Sequence, residues 1–183
     1  DDFERLANEI ISKLVKYMEA NQGALLIAAN SDPDTEEEPY MELAACYAWG
    51  KKKFLQKKVY KGDGLAGQSW IEGDTIYLTE IPEDYITITS GLGEANPRSI
   101  VIVPLKVNDD IHGVIEIASF RAYDPFEIEF IEKVSQSIAA TISSVRVNER
   151  TQKLLEESTM MTEQMRAQEE EMRQNMEELQ ATQ

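Results

Sequence analysis

Between Pro125 and Gln183 the chain contains no glycine and no further proline, and this absence constrains the fold more than any other feature. Those two residues are the strongest helix breakers, so a single helix can occupy the last third of the chain. Asp124 can cap it, Pro125 suits its first position, and Phe126, Phe130, Ile131, Val134, Ile138 and Ile142 follow at three- and four-residue steps. From about Val145 the aromatics vanish and Glu, Gln, Met, Arg and Lys dominate. Ser158, Met165, Met172 and Leu179 recur every seven residues, with Leu155, Met161 or Thr162, Gln168 or Glu169, and Asn175 or Met176 between them. The pattern predicts a coiled coil with a half-polar seam. About 34 residues of it rise roughly 50 Å, and a lone helix with so few apolar contacts is marginal in water. Its simplest partner is a second copy of itself.

The earlier residues predict a mixed domain. Phe3, Leu6, Ile10, Ile11, Leu14 and Tyr17–Met18 have helical spacing, so residues 2–20 are expected to form an amphipathic helix that Gly23 ends in the left-handed conformation. Gly23 to Asn30 reads as a buried strand, followed by an acidic loop. Tyr40 to Trp49 alternates, placing Met41, Leu43, Ala45, Tyr47 and Trp49 on one side, and Phe54–Tyr60 is expected to pair with it. Leu65 to Ile71 suits a short helix, Thr75 to Thr79 a strand, and Ile81 to Pro97 a long irregular connection of the kind that covers binding sites. Ser99 to Val107 and Ile111 to Phe120 are the two strongest strands, joined by Asn108-Asp109-Asp110.

Composition removes several functional classes. A formal charge of −16, from 34 acidic and 18 basic residues, repels nucleic acid and anionic lipid, so neither a nucleic-acid partner nor direct membrane contact is expected. One cysteine, Cys46, and one histidine, His112, cannot assemble a disulfide, a zinc site or a catalytic triad. No metal site is expected, and a cytoplasmic setting fits. The apolar runs fall far short of the roughly 20 residues that span a bilayer. The chain opens at Asp1, as the edge of a larger protein would, which leaves an anchor elsewhere in a parent protein open.

The order of elements, with four local motifs, resembles the GAF domain family. The motifs are Gly62-Asp63-Gly64-Leu65-Ala66-Gly67, Arg98-Ser99 to Val103-Pro104-Leu105, Gly113-Val114-Ile115-Glu116-Ile117-Ala118-Ser119, and Tyr123 with Glu127 at the head of the last helix. The resemblance covers about residues 1–148. Residues 149–183 resemble the signalling helices of bacterial sensors, in a sensor histidine kinase or a chemotaxis-receptor-like protein. The resemblance implies an α+β fold: a six-stranded antiparallel sheet, both terminal helices on one face, a small-molecule pocket on the other, and a C-terminal helix extended as a coiled coil. It implies a regulatory sensory domain, not an enzyme, that relays a signal to a downstream output domain of the same chain. The alternative is a ligand-free dimerisation and spacer module. Family members bind cyclic nucleotides, bilins, haem or small metabolites, so the ligand and any cofactor stay open. Free-methionine sulfoxide reductases share the fold, but need catalytic cysteines that a chain with only Cys46 lacks.

Candidate positions follow from this frame. Trp70, Tyr77, Tyr85, Ile86, Arg98, Ser99, Val101, Glu116 and Ala118 are the expected ligand-binding set. Alternation places Glu116 with Val114 and Ala118, opposite Ile115 and Ile117; if that face is the pocket, the carboxylate needs a partner such as Arg98 or a ligand amine, and the alternative is a charge near a pocket mouth that reaches water. The aromatics could stack on a ligand or fill a vestigial pocket. A parallel homodimer is expected to use Leu6, Ile10, Leu14, Ile138, Ile142, Val145, Leu155, Met165, Met172 and Leu179. Gly62-x-Gly-x-x-Gly67 matches a dinucleotide fingerprint literally, but no βαβ unit surrounds it, and it reads as a structural turn. His112 reads as an exposed turn residue and Cys46 as a small buried thiol. Lys51 to Lys53, Lys57, Lys58 and Lys61 read as a solvated edge facing Glu36-Glu37-Glu38.

Overall fold

Seven consecutive buried residues, Gln22–Ala28, form strand β1, and the sheet grows outward from it. The computed structural model describes residues 2–29, 35–48, 58–83, 85, 88–90 and 93–183. Strand β1 pairs antiparallel with β2 (Tyr40–Tyr47) on one side and with β8 (Asp110–Ser119) on the other. Beyond β2 lies β3 (Val59–Tyr60), and beyond β8 lie β7 (Ser99–Val107) and β4 (Ile76–Leu78), giving the order β3-β2-β1-β8-β7-β4. Every pairing in this sheet is antiparallel. The connection read as irregular also contains a two-stranded antiparallel pair, β5 (Ile88–Ser90) with β6 (Gly93–Ala95). Most of the strand expected over 54–60, and Trp49, lie outside the described residues.

The chain divides into two compact units, Asp1–Ile142 and Ser143–Gln183. In the first, helix α1 (Asp2–Tyr17) and the opening turns of α3 (Pro125–Ala181) cover one face of the sheet. Ile11, Leu14 and Val15 of α1 and Ile131, Ile138 and Ile142 of α3 bury against Leu25, Ile27, Val101, Val103, Ile115 and Ile117. Helix α2 (Gly64–Glu72) packs on the opposite face, where Ala66 and Trp70 meet Leu26, Ile100, Ile102 and Val114. The two cores, set by strand alternation, give the α+β architecture expected.

Two local differences and one expected turn have physical causes. Helix α1 ends with Glu19 at φ 51°, not with Gly23. Gly23 lies inside β1, where a side chain would collide with Val15 and Ile11 of the overlying helix. The alternation expected along β2 breaks at Ala44, where Leu25 pairs Ala45 while Leu26 pairs Leu43. This bulge inserts one residue into β2 and turns Met41 and Leu43 to the α2 face but Ala45 and Tyr47 to the α1 face. The glycines of residues 62–67 are structural: Gly62 and Gly64 take positive φ, and a Cβ on Gly67 would strike the Tyr60 carbonyl and Gly62 backbone.

The first turn of α3 is anchored. The Asp124 N–H donates to the Glu127 carboxylate at 3.1 Å, half of a capping box. Glu127 also pairs with Arg121 at 2.7 Å. Tyr123 donates its hydroxyl to the Met18 carbonyl at 3.0 Å, and its backbone N–H donates to the Tyr77 hydroxyl at 2.8 Å. Arg121 reaches the same Met18 carbonyl at 3.4 Å. The Tyr123 and Glu127 motif therefore ties α3 to the end of α1 and to β4.

In the second unit the helix continues to Ala181, and every side chain from Val147 onward is exposed. Among these are Leu154, Leu155, Met160, Met161, Met165, Met172, Met176 and Leu179. Among the described residues, no helix is long and apolar enough to cross a membrane.

Candidate functional site

The face of the sheet under α2 carries the polar groups that the core opposite excludes. Register places Glu116 of β8 between Ala24 of β1 and Ile102 of β7, and both neighbours belong to the α2-side core. Glu116 is 4% exposed, a costly position for a charge. Tyr85, packed on the same core, donates its hydroxyl to Glu116 at 3.4 Å. Burial, and then the negative charge and hydrogen bond of Glu116, raise the Tyr85 phenol well above its ordinary pKa. Tyr85 is therefore a neutral hydrogen-bond donor at physiological pH.

Gln22 lies on the same face. Gly23 faces α1, so alternation turns Gln22, Ala24, Leu26 and Ala28 toward α2. Gln22 pairs with Ala118 in the register that pairs Ala24 with Glu116. It is 3% exposed, and its Oε1 is buried with no hydrogen-bond partner among the described residues. Two small residues, Ala24 and Ala118, lie between the polar pair, and Trp70 and Tyr85 stand over the same core.

Only part of the expected ligand set converges here. Trp70, Tyr85, Glu116 and Ala118 do. Tyr77 and Val101 are corrected: both belong to the α1-side core, Tyr77 through its bonds to Tyr123. Ser99 is corrected on the same ground, because it shares the alternation of Val101 and donates its hydroxyl to the Arg121 carbonyl. Arg98 is exposed, and its backbone N–H closes a bond to the Ser119 carbonyl at 2.8 Å. Ile86 lies outside the described residues. Gln22 was missed because Asn21-Gln22-Gly23 reads as a helix stop. Its even spacing from Ala24, Leu26 and Ala28 was the available signal.

The expected dimer set also divides. Leu14, Ile138 and Ile142 are buried in the core of their own domain and are corrected to core residues, since a second copy cannot reach them without unpacking the sheet. Ile10 is partly buried against the same core, and Leu6 is exposed. Leu155, Met165, Met172 and Leu179 are exposed, and Val145 is half-buried. His112 is half-buried on β8 and Cys46 half-buried on β2. Among the described residues, no cluster of His, Cys, Asp and Glu could hold a metal ion. Lys58 lies 3.5 Å from Glu37 and Lys61 stands over the Trp70 ring at 5.3 Å, while Lys51 to Lys53 and Lys57 lie outside the described residues.

Comparisons with solved structures give the same architecture at low sequence identity. The GAF domain of a phosphoenolpyruvate-protein phosphotransferase from Coxiella burnetii is 18% identical, with a TM-score of 0.63, covering 80% of this chain and 85% of that one. The second GAF domain of DevS from Mycobacterium smegmatis is 12% identical, with a TM-score of 0.60, covering 81% and 99%. A free methionine-R-sulfoxide reductase from Neisseria meningitidis is 17% identical, with a TM-score of 0.59, covering 80% and 81%. At such identities the likeness is one of fold. No curated protein matches the chain at a significant level. The GAF domain family profile matches residues 1–143, which span the six-stranded sheet, both of its cores and the anchored start of α3: the chain belongs to the GAF domain family.

Proposed function

We propose that this chain is a non-catalytic regulatory domain that dimerises in parallel and relays a small-molecule or conformational signal through its C-terminal coiled coil to an output domain in the same protein. The supporting observation is that one helix, α3, supplies both Ile131, Ile138 and Ile142 to the sheet's core and the exposed Leu and Met residues of the heptad pattern. A ligand that repacks the sheet acts on the same helix that carries the dimer seam. The single cysteine and single histidine support regulation over catalysis. The charge of −16 supports a cytoplasmic partner domain, such as that of a sensor kinase or chemotaxis receptor, over nucleic acid or membrane.

A second reading, a ligand-free dimerisation and spacer module, draws support from the burial of Trp70 and Glu116 within the single chain. Native mass spectrometry of gently purified protein, with sedimentation equilibrium, separates the two. A dimer carrying a non-covalent small molecule supports the sensory reading, and a dimer that is always bare supports the spacer. A monomer at tens of micromolar defeats both.

A further inference from the structure

We infer that Gln22 and Glu116 form the floor of a binding site for a small planar organic cation that presents N–H donors, such as an amidinium or guanidinium group. The inference rests on the sensory reading above and names the class of ligand. Three observations carry it. Glu116 and Gln22 are both more than nine-tenths buried, on the same face of adjacent strands. Their register puts them diagonally across the β1–β8 pair, about 7–8 Å apart at the backbone, a span that long side chains close from both ends. Gln22 Oε1 is a buried acceptor with no partner among the described residues, and such groups in native proteins call for an explanation. Gln22 Oε1 and the carboxylate oxygens of Glu116, one of which already accepts from Tyr85, are acceptor atoms, so a ligand with donors suits both, and the carboxylate favours positive charge.

The surroundings fit the rest of such a molecule. Ala24 and Ala118 keep the floor low between the two polar groups, while Trp70 and Tyr85 offer flat apolar surface above the same core. The Tyr85 bond to Glu116 is 3.4 Å long, against 2.5–2.7 Å for a strong hydroxyl–carboxylate bond. A ligand N–H at normal length is a better donor than the hydroxyl it displaces. Binding would thereby displace the Tyr85 hydroxyl from the sheet.

Titration calorimetry of the full chain with benzamidine, benzamide and benzoate tests this, because the three probes share a ring and differ in charge and donors. The expected result is saturable benzamidine binding, at least tenfold weaker benzamide binding, and none by benzoate. Glu116→Gln should weaken benzamidine about tenfold or more. Gln22→Leu should weaken it severalfold while leaving the melting temperature unchanged or raised, since it removes an unsatisfied buried acceptor. That opposite movement separates a binding role from a structural one, and it stands even if Glu116→Gln fails to fold. Equal affinity for the three probes, a preference for benzoate, or unaltered binding in Gln22→Leu overturns the inference but leaves the sensory reading intact. No binding by any probe overturns the inference. An always-bare dimer in native mass spectrometry would separately overturn the sensory reading.

Discussion

Met172→Glu probes the proposed dimer most directly, because Met172 sits on the seven-residue repeat and is 64% exposed in the single chain. Full burial of a methionine side chain contributes about 1.5–3 kcal/mol, so the exposed part of Met172 offers about 1–2 kcal/mol. If a partner helix covers half to all of that surface, the contribution is about 1 kcal/mol per copy, and a parallel dimer counts it twice. Losing about 2 kcal/mol corresponds to roughly a 30-fold rise in the dimer dissociation constant, before repulsion between the two introduced carboxylates is added. Sedimentation equilibrium at several concentrations reads this directly. Gln174→Glu is the control, as it adds the same charge two residues away and off the seam. If Met172→Glu shifts the constant by less than threefold, or no more than Gln174→Glu does, the seam assignment is wrong.

A chain ending at Asn148 is predicted to retain a cooperative melting transition by circular dichroism, because the buried residues of α3 end at Ile142; a lost transition would move the domain boundary. Gly113→Ala should destabilise the domain by about 2–3 kcal/mol in urea, since a Cβ there would strike the Leu26 carbonyl of the neighbouring strand, and an unchanged midpoint would contradict that close approach. The Tyr85 and Tyr123 phenols both have raised pKa values, chiefly through burial, so they should ionise after a free tyrosine in an alkaline titration followed by ultraviolet absorbance. For an acid whose folded pKa lies above its unfolded value near 10, the linked stability is complete below pH 10 and is lost as the pH rises towards the folded pKa. Tyr85→Phe should remove part of this alkaline loss, and an identical alkaline denaturation curve for the variant would show that Tyr85 contributes none of it.

The fold was readable in the sequence where one period held without interruption. Val114 to Ser119 alternates between the two faces, and both its pairing with Ser99 to Pro104 and the face occupied by Glu116 follow from that pattern, whereas an irregularity between Val114 and Ile111 leaves Ile111 on the α2 face as well. Tyr40 to Tyr47 also alternates in sequence, yet the Ala44 bulge reverses its second half, and a bulge leaves no mark when the residues on both sides are small or apolar. Sequence alone does not assign Tyr77 and Val101 to the α1-side core, because aromatic and apolar character does not reveal which of two buried faces a strand residue joins. That choice depends on Tyr123, some 46 residues from Tyr77. The seam on α3 had the converse difficulty: Ile138 and Ile142 continue the helical spacing seen later in the tail, but the sheet buries them. Periodicity identifies an apolar stripe and cannot say whether the sheet or another chain covers it.

The Met18 carbonyl, shared by Arg121 and Tyr123, has a mechanical consequence. The last turn of α1, the Tyr77 hydroxyl on β4 and the capped first turn of α3 meet there, so this corner acts as a pivot. Sliding α3 along its axis would pull Tyr123 and Arg121 from Met18 and Glu127 from Arg121 together, breaking several bonds at once. Turning α3 about its own axis would carry Ile131, Ile138 and Ile142 out of the core under the sheet, so the corner fixes the height of the helix and the buried face fixes which side of its first turns meets the sheet. Sliding and turning are therefore both resisted, and a displacement of the sheet face or of the Met18 corner would reach the start of the helix as one rigid shift of all these contacts together.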